Sequence, residues 1–313
     1  MGEHRPPPAF LRVADVAALM RDADMSSTYK PALLRALVRC VRGSEANTIS
    51  LAALGREFTR LYWNQTVVYH LRQAASLSKE SSAVKMIRAA SQLHGVRDLG
   101  ALPAAARAAL DRKMAKLLQV NVLTAFHRSK PTGMPRLYDW EPGQEAVSIN
   151  AEVRSFLCSN ETPLELVANY HWARFLENTN RLAPRIVQKV ERNAAFRRSL
   201  KPYLTILRQD SDGLCFYCKR SFGDSETPTI DHVIPWSFLL EDPLWDLVLA
   251  CSRCNSSKSD WLPEQSALQR LVERNRKLRD DLRRHVSLLI PDDEVERLYH
   301  AALSVEWPHF WTP

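Results

Sequence analysis

The sequence predicts an α+β protein that is mostly α. A helical N-terminal region over residues 1–200, containing a small β-hairpin, precedes a compact C-terminal domain over residues 201–313. Apolar residues recur at helical spacing through most of the first 120 residues and again from 161 to 208. Short β-leaning runs bounded by turn residues interrupt that pattern between 120 and 149. Four of the six cysteines form two close pairs in the last third of the chain. At 313 residues the chain is long enough for two separate cores.

The elements follow in order. After a Pro-rich leader, Leu33, Leu34, Leu37, Val38 and Val41 place one apolar stripe on a helix over residues 29–41, with Gly43 just beyond its end. Thr48-Ile49-Ser50 opens the next helix, which runs through Leu54, Phe58, Leu61 and Trp63. Helices are expected at 81–94 and 103–119, where Pro103 suits a first turn because its missing N–H would have no partner there. Val120–His127 and Leu137–Trp140 read as strands around a Pro131/Gly133 turn, and Ala146–Ile149 as a third run after Gly143. Such a hairpin suits a winged-helix-like module and a generic hairpin on helices equally. Helices resume at 161–179 and 184–208. A charged helix covers Glu264–His285, with pairs such as Glu273–Lys277, and a last one covers about 292–304. The aromatic tail Trp307–Trp311 reads as a clasp packed onto its own domain.

Composition narrows the class. A hydrophobic share of 45% with 8 tryptophans excludes a disordered chain. No apolar run is long enough to span a membrane, and the leader Met1–Pro8 lacks a signal-peptide core, so a cytoplasmic protein without a membrane partner is expected. Cys40 and Cys158 lie in apolar helical contexts and read as reduced core residues. The remaining four, Cys215-x2-Cys218 and Cys251-x2-Cys254, are two knuckles 32 residues apart, the spacing of a closed structural Zn²⁺ site. They enclose Asp231-His232, and Asn255 follows the last cysteine directly.

These residues carry a resemblance. Cys215-x2-Cys218, then Thr229-Ile230-Asp231-His232-Val233-Ile234-Pro235-Trp236, then Trp245 through Cys251-x2-Cys254-Asn255-x2-Lys258, resembles an HNH endonuclease of the four-cysteine type over roughly residues 212 to 263. The resemblance implies a zinc-clamped ββα-metal core and metal-dependent hydrolysis or nicking of DNA, with His232 as general base. It also implies a catalytic Mg²⁺ or similar divalent ion held by Asp231 and Asn255. The chemistry is apt, because an imidazole can accept a proton near neutrality and carboxylate and amide oxygens suit a hard cation. Arg253 and Lys258 are candidates for DNA phosphate contacts. One position departs from the family pattern. The central Asn that braces the hairpin loop is Asp246 here, and a carboxylate accepts N–H bonds but donates only when protonated.

Charge adds a partner. The chain carries a formal +8, and residues 181–209 hold eight basic residues against the single acid Glu191. Among these, Arg192, Arg197 and Arg198 are expected to face DNA phosphates. The expected protein is therefore a nuclease acting on duplex DNA, with a helical targeting half and a cutting half. That architecture resembles bacterial restriction or phage-defence nucleases. The alternative is a non-catalytic zinc-finger DNA-binding module.

Overall fold

The computed structural model describes residues 10–23, 25–42, 45–76, 78–191, 199–222, 227–277, 292–305 and 307–313. Gly43, Arg192, Arg197, Arg198 and the stretch expected to extend the charged helix to His285 lie outside the described residues. The chain forms two compact units, Met1–Arg181 with Ile186–Ala194, and Leu182–Arg185 with Ala195–Pro313. The class is α+β and mostly α, with two small two-stranded antiparallel sheets among the described residues. No helix among the described residues is long and apolar enough to cross a membrane.

The first unit is a helical assembly of α1 (Val13–Arg21), α2 (Tyr29–Arg42), α3 (Leu51–Trp63), α4 (Ser82–His94), α5 (Ala104–Leu117), α6 (Leu123–Phe126), α7 (Ala151–Ser159), α8 (Glu161–Thr179) and α9 (Ile186–Glu191). The α2 stripe Leu33, Leu34, Leu37, Val38 and Val41 is buried where α2 packs on α3 and α8. Helices α3 and α5 pack closely at Gly55, where an added Cβ would lie 2.5 Å from the Asp111 carbonyl oxygen. Phe58 stacks on Tyr62, and Tyr62 meets Trp172 with ring centroids 5.3 Å apart. Thr28 Oγ1 and Trp172 Nε1 both donate to Gln73 Oε1 there.

Several expectations change in this unit. Thr48–Ser50 is strand β1, and helix α3 starts after it with the Ser50 hydroxyl accepting from Ala53 N–H at 3.2 Å, an N-cap. The expected hairpin strand over 120–127 is helical instead, a π-helical turn over Leu118–Val122 running into α6. Leu118, Val122, Leu123 and Phe126 are buried and Val120 is exposed, so burial on one helical face outweighs the β propensity of Val-Asn-Val. Strand β2 (Ala146–Ser148) does form, but it pairs with β1, placing Ile49 opposite Val147. The cysteine reading also needs correction. Cys158 lies exposed on α7, while Cys40 is partly buried and its thiol is pushed up to about 12 by burial. Lys189, counted in the basic stretch, is fully buried and presents no charge to a ligand.

The second unit is built on β3 (Thr229–His232) and β4 (Leu247–Ala250), with α10 (Leu204–Asp210), α11 (Trp236–Leu239), α12 (Ser252–Lys258), α13 (Gln265–Lys277) and α14 (Asp292–Ser304). Every residue of β4 is buried because both its faces are covered. Val248 and Ala250 join the larger core with Cys215, Cys251 and Cys254, whereas Leu247 and Leu249 pack with Leu207 of α10. The aromatic tail is a clasp. Trp311 exchanges backbone hydrogen bonds with Leu262 and Glu264, and Trp307 is buried with its Nε1 donating to Asp260 O at 2.8 Å.

Candidate metal centre

Backbone geometry gathers the four thiols. Cys215 N–H donates to Arg220 O and Cys215 O accepts from Lys219 N–H, a tight knuckle that turns through the left-handed Lys219 (φ 60°). Cys251 ends the β4 path as the N-cap of α12, and Cys254 sits one turn into that helix. All four Sγ atoms lie within 4.8 Å of one another, and Cys218 Sγ is 3.9 Å from Cys251 Sγ. A tetrahedral ion with metal–sulfur bonds near 2.3 Å requires sulfurs about 3.8 Å apart. The donor set therefore fits zinc in both softness and spacing. It is the one group of three or more His, Cys, Asp or Glu residues able to hold a metal among the described residues.

The antiparallel register sorts the residues between the knuckles. Asp231 lies opposite Val248 and His232 opposite Leu247, so the two side chains leave opposite faces of the ribbon. Asp231 faces the main core. Its Oδ2 accepts from Tyr217 Oη–H at 2.6 Å and lies 3.1 Å from Lys258 Nζ. Burial and the Asp231 carboxylate hold the Tyr217 phenol well above its ordinary pKa, so it stays a donor. Lys258 has no exposed surface, and its ammonium also donates to His232 O at 2.6 Å. This corrects the expectation of a phosphate contact, because the Lys258 charge is spent inside the unit. Arg253 is exposed on α12.

His232 is 6% exposed, and its Nε2 lies 3.1 Å from Asp242 Oδ1. The sequence reading missed Asp242, a loop acid ten residues on with no periodic or motif signal. Asn255 sits within α12, where its Nδ2 donates to Thr229 Oγ1 at 3.1 Å and leaves Oδ1 without a hydrogen bond among the described residues. Asp231 Oδ1 is likewise without one. Two hard oxygens thus stand on the α12 side of β3, and a histidine paired to an acid stands on the other. The Asp231 carboxylate and the His232 imidazole do not touch each other.

Asp246 occupies the turn into β4 and is wholly buried. Its Oδ1 accepts from Ile234 N–H at 2.8 Å and its backbone oxygen from Val233 N–H at 3.0 Å, which fixes the chain leaving β3. Its Oδ2 is buried with no hydrogen-bond partner, and burial raises its carboxyl well above the ordinary range. A second residue missed from sequence, Arg274 of α13, donates to Leu247 O and to Trp245 O at 2.8 Å, holding the start of β4.

Residues 215–260 match the family model for HNH endonucleases. The second unit contains a four-cysteine HNH domain. An HNH domain points to a nuclease or DNA-binding role. No curated protein and no solved structure matches the chain significantly.

Proposed function

We propose that the HNH domain is a metal-dependent endonuclease that hydrolyses or nicks duplex DNA, with Zn²⁺ at Cys215, Cys218, Cys251 and Cys254 as its clamp. The observation that carries this is the placement of Asp231 and His232 at the end of one strand, with Asn255 tied to that strand through Thr229. A phosphate across the end of β3 meets the Asp231 and Asn255 oxygens on one side and His232 on the other. Those two oxygens would hold a Mg²⁺-class ion, which supplies charge stabilisation for the phosphate and the leaving 3′ oxygen. His232 takes the proton of the attacking water. With Nε2–H donated to Asp242, the other ring nitrogen keeps the lone pair that a base needs. Arg253, Arg192, Arg197 and Arg198 supply phosphate contacts. Reversing the last three to Glu lowers DNA affinity and its salt dependence. The helical unit is the targeting half, and free metal-spaced cysteines suit a reducing cytoplasm and a role in bacterial restriction or phage defence.

One observation favours the alternative, a non-catalytic zinc module that binds DNA. Lys258 already neutralises the carboxylate that would ligate the ion. The deciding experiment is cleavage of supercoiled plasmid by zinc-loaded protein with and without Mg²⁺, beside His232→Ala. Mg²⁺-dependent cutting lost in His232→Ala, with DNA affinity retained, supports the enzyme. An inert wild type that still binds DNA supports the module.

A further inference from the structure

We infer that the helical unit carries a second ligand site, a cleft that takes a phosphate monoester. Helices α2, α3, α5 and α8 line an open cleft of about 500 Å³, within the range common for small-molecule sites, ~300–1,000 Å³. Five guanidiniums line it, Arg39 and Arg42 from α2, Arg56 and Arg60 from α3, and Arg107 from α5. Three carboxylates share the wall, and each is already engaged. Glu165 Oε1 lies 2.7 Å from Arg39, Glu161 Oε1 2.8 Å from Arg42, and Glu57 Oε2 2.8 Å from Arg60.

That pairing leaves Arg56 and Arg107 with no carboxylate partner among the described residues. With five positive and three negative side chains, the cleft has an excess of two positive charges. Arg39 adds a further unmet donor, because its Nη1 is buried without a hydrogen bond and lies 3.8 Å from Glu57. The Glu165 ion pair holds the largely buried Arg39 guanidinium, and Arg56 and Arg107 present guanidinium forks that can bind phosphate oxygens in pairs. A phosphate monoester carries about −1.5 to −2 at neutral pH and balances the excess, which a singly charged carboxylate or backbone diester does only by half. The close α3–α5 approach at Gly55 brings Arg56 and Arg107 onto one wall.

Two sources share this chemistry, a free nucleotide and the 5′-phosphorylated end of a DNA strand. The test is calorimetric titration of the full chain, without added divalent ion, by adenosine 5′-monophosphate and by matched 5′-phosphorylated and 5′-hydroxyl duplexes. Binding is read without cleavage, so the result is independent of the nuclease proposal. The expected result is one site per chain for the nucleotide, or tighter binding of the 5′-phosphorylated duplex than of the 5′-hydroxyl one. Arg56→Gln and Arg107→Gln should each weaken that binding about tenfold, the scale of a lost charge-assisted hydrogen bond. Neither residue makes an ion pair among the described residues, so thermal unfolding should stay unchanged in both variants. Absence of nucleotide binding together with equal affinity for the two duplexes overturns the inference. Undiminished binding in the two folded variants overturns it as well.

Discussion

Replacing Asp246 with Asn is expected to stabilise the HNH domain at neutral pH, for a reason that can be followed atom by atom. The carboxyl has no exposed surface, gives one oxygen to Ile234 N–H, and leaves the other buried without a partner. Burial is the largest influence on it and favours the neutral form. The Ile234 amide and the Lys258 charge pull the other way without overcoming it. In the unfolded chain the same group ionises near 3.8. As pH rises above that value the unfolded state loses a proton that the folded state keeps, so stability falls by up to ~1.4 kcal/mol per pH unit until the folded group ionises. Asn keeps the oxygen that serves Ile234, has nearly the same shape, and titrates nowhere in this range. Its Nδ2 takes the partnerless position of Oδ2. The gain therefore comes from removing the ionisable group alone, and is expected to be about 1–3 kcal/mol at pH 7 after the cost of the unmet donor. Urea unfolding followed by tryptophan fluorescence between pH 6.5 and 8.5, in zinc-containing buffer, reads the difference. The gap should widen with pH and then level off. A variant no more stable than wild type at every pH would refute the reasoning.

Three further outcomes follow from the same contacts. Lys258→Ala leaves the Asp231 carboxylate buried beside Tyr217 without its cation, and should destabilise the HNH domain by about 3–5 kcal/mol in denaturant titration. Cys254→Ser, or zinc removal by a chelator, should abolish the unfolding transition of the second unit while the helical unit keeps its far-UV signal, because structural zinc binding is coupled to folding. Gly55→Val places a Cβ against the α5 backbone and should lower the helical unit's stability by at least ~2 kcal/mol in thermal unfolding.

The cysteine knuckles were legible because a paired CxxC spacing is a short-range pattern with a fixed chemical meaning. Helix α8 was legible because a long apolar stripe has only one regular solution. Residues 120–127 were misread because Val and Thr favour strands locally, and the deciding fact is burial of Val122, Leu123 and Phe126 on one helical face. The pairing of β1 with β2 joins residues about a hundred apart, which no local signal encodes. Asp242 and Arg274 act on His232 and on the Trp245 and Leu247 carbonyls from loop and helix positions with no motif spacing. Lys258 shows a different limit. Its sequence context suits phosphate, and only the packing of α12 on β3 turns it inward onto Asp231.

The most direct test of the proposed hydrolytic centre is chemical rescue of His232→Ala. Zinc-loaded wild type should cut supercoiled plasmid in Mg²⁺, the variant should be nearly inert with its DNA affinity intact, and added imidazole should restore cutting in the variant alone. Restoration by imidazole identifies His232 as the base beside Asp231 and Asn255. Equal cutting by wild type and variant, or a wild type that binds DNA yet never cuts it, would contradict the hydrolytic assignment.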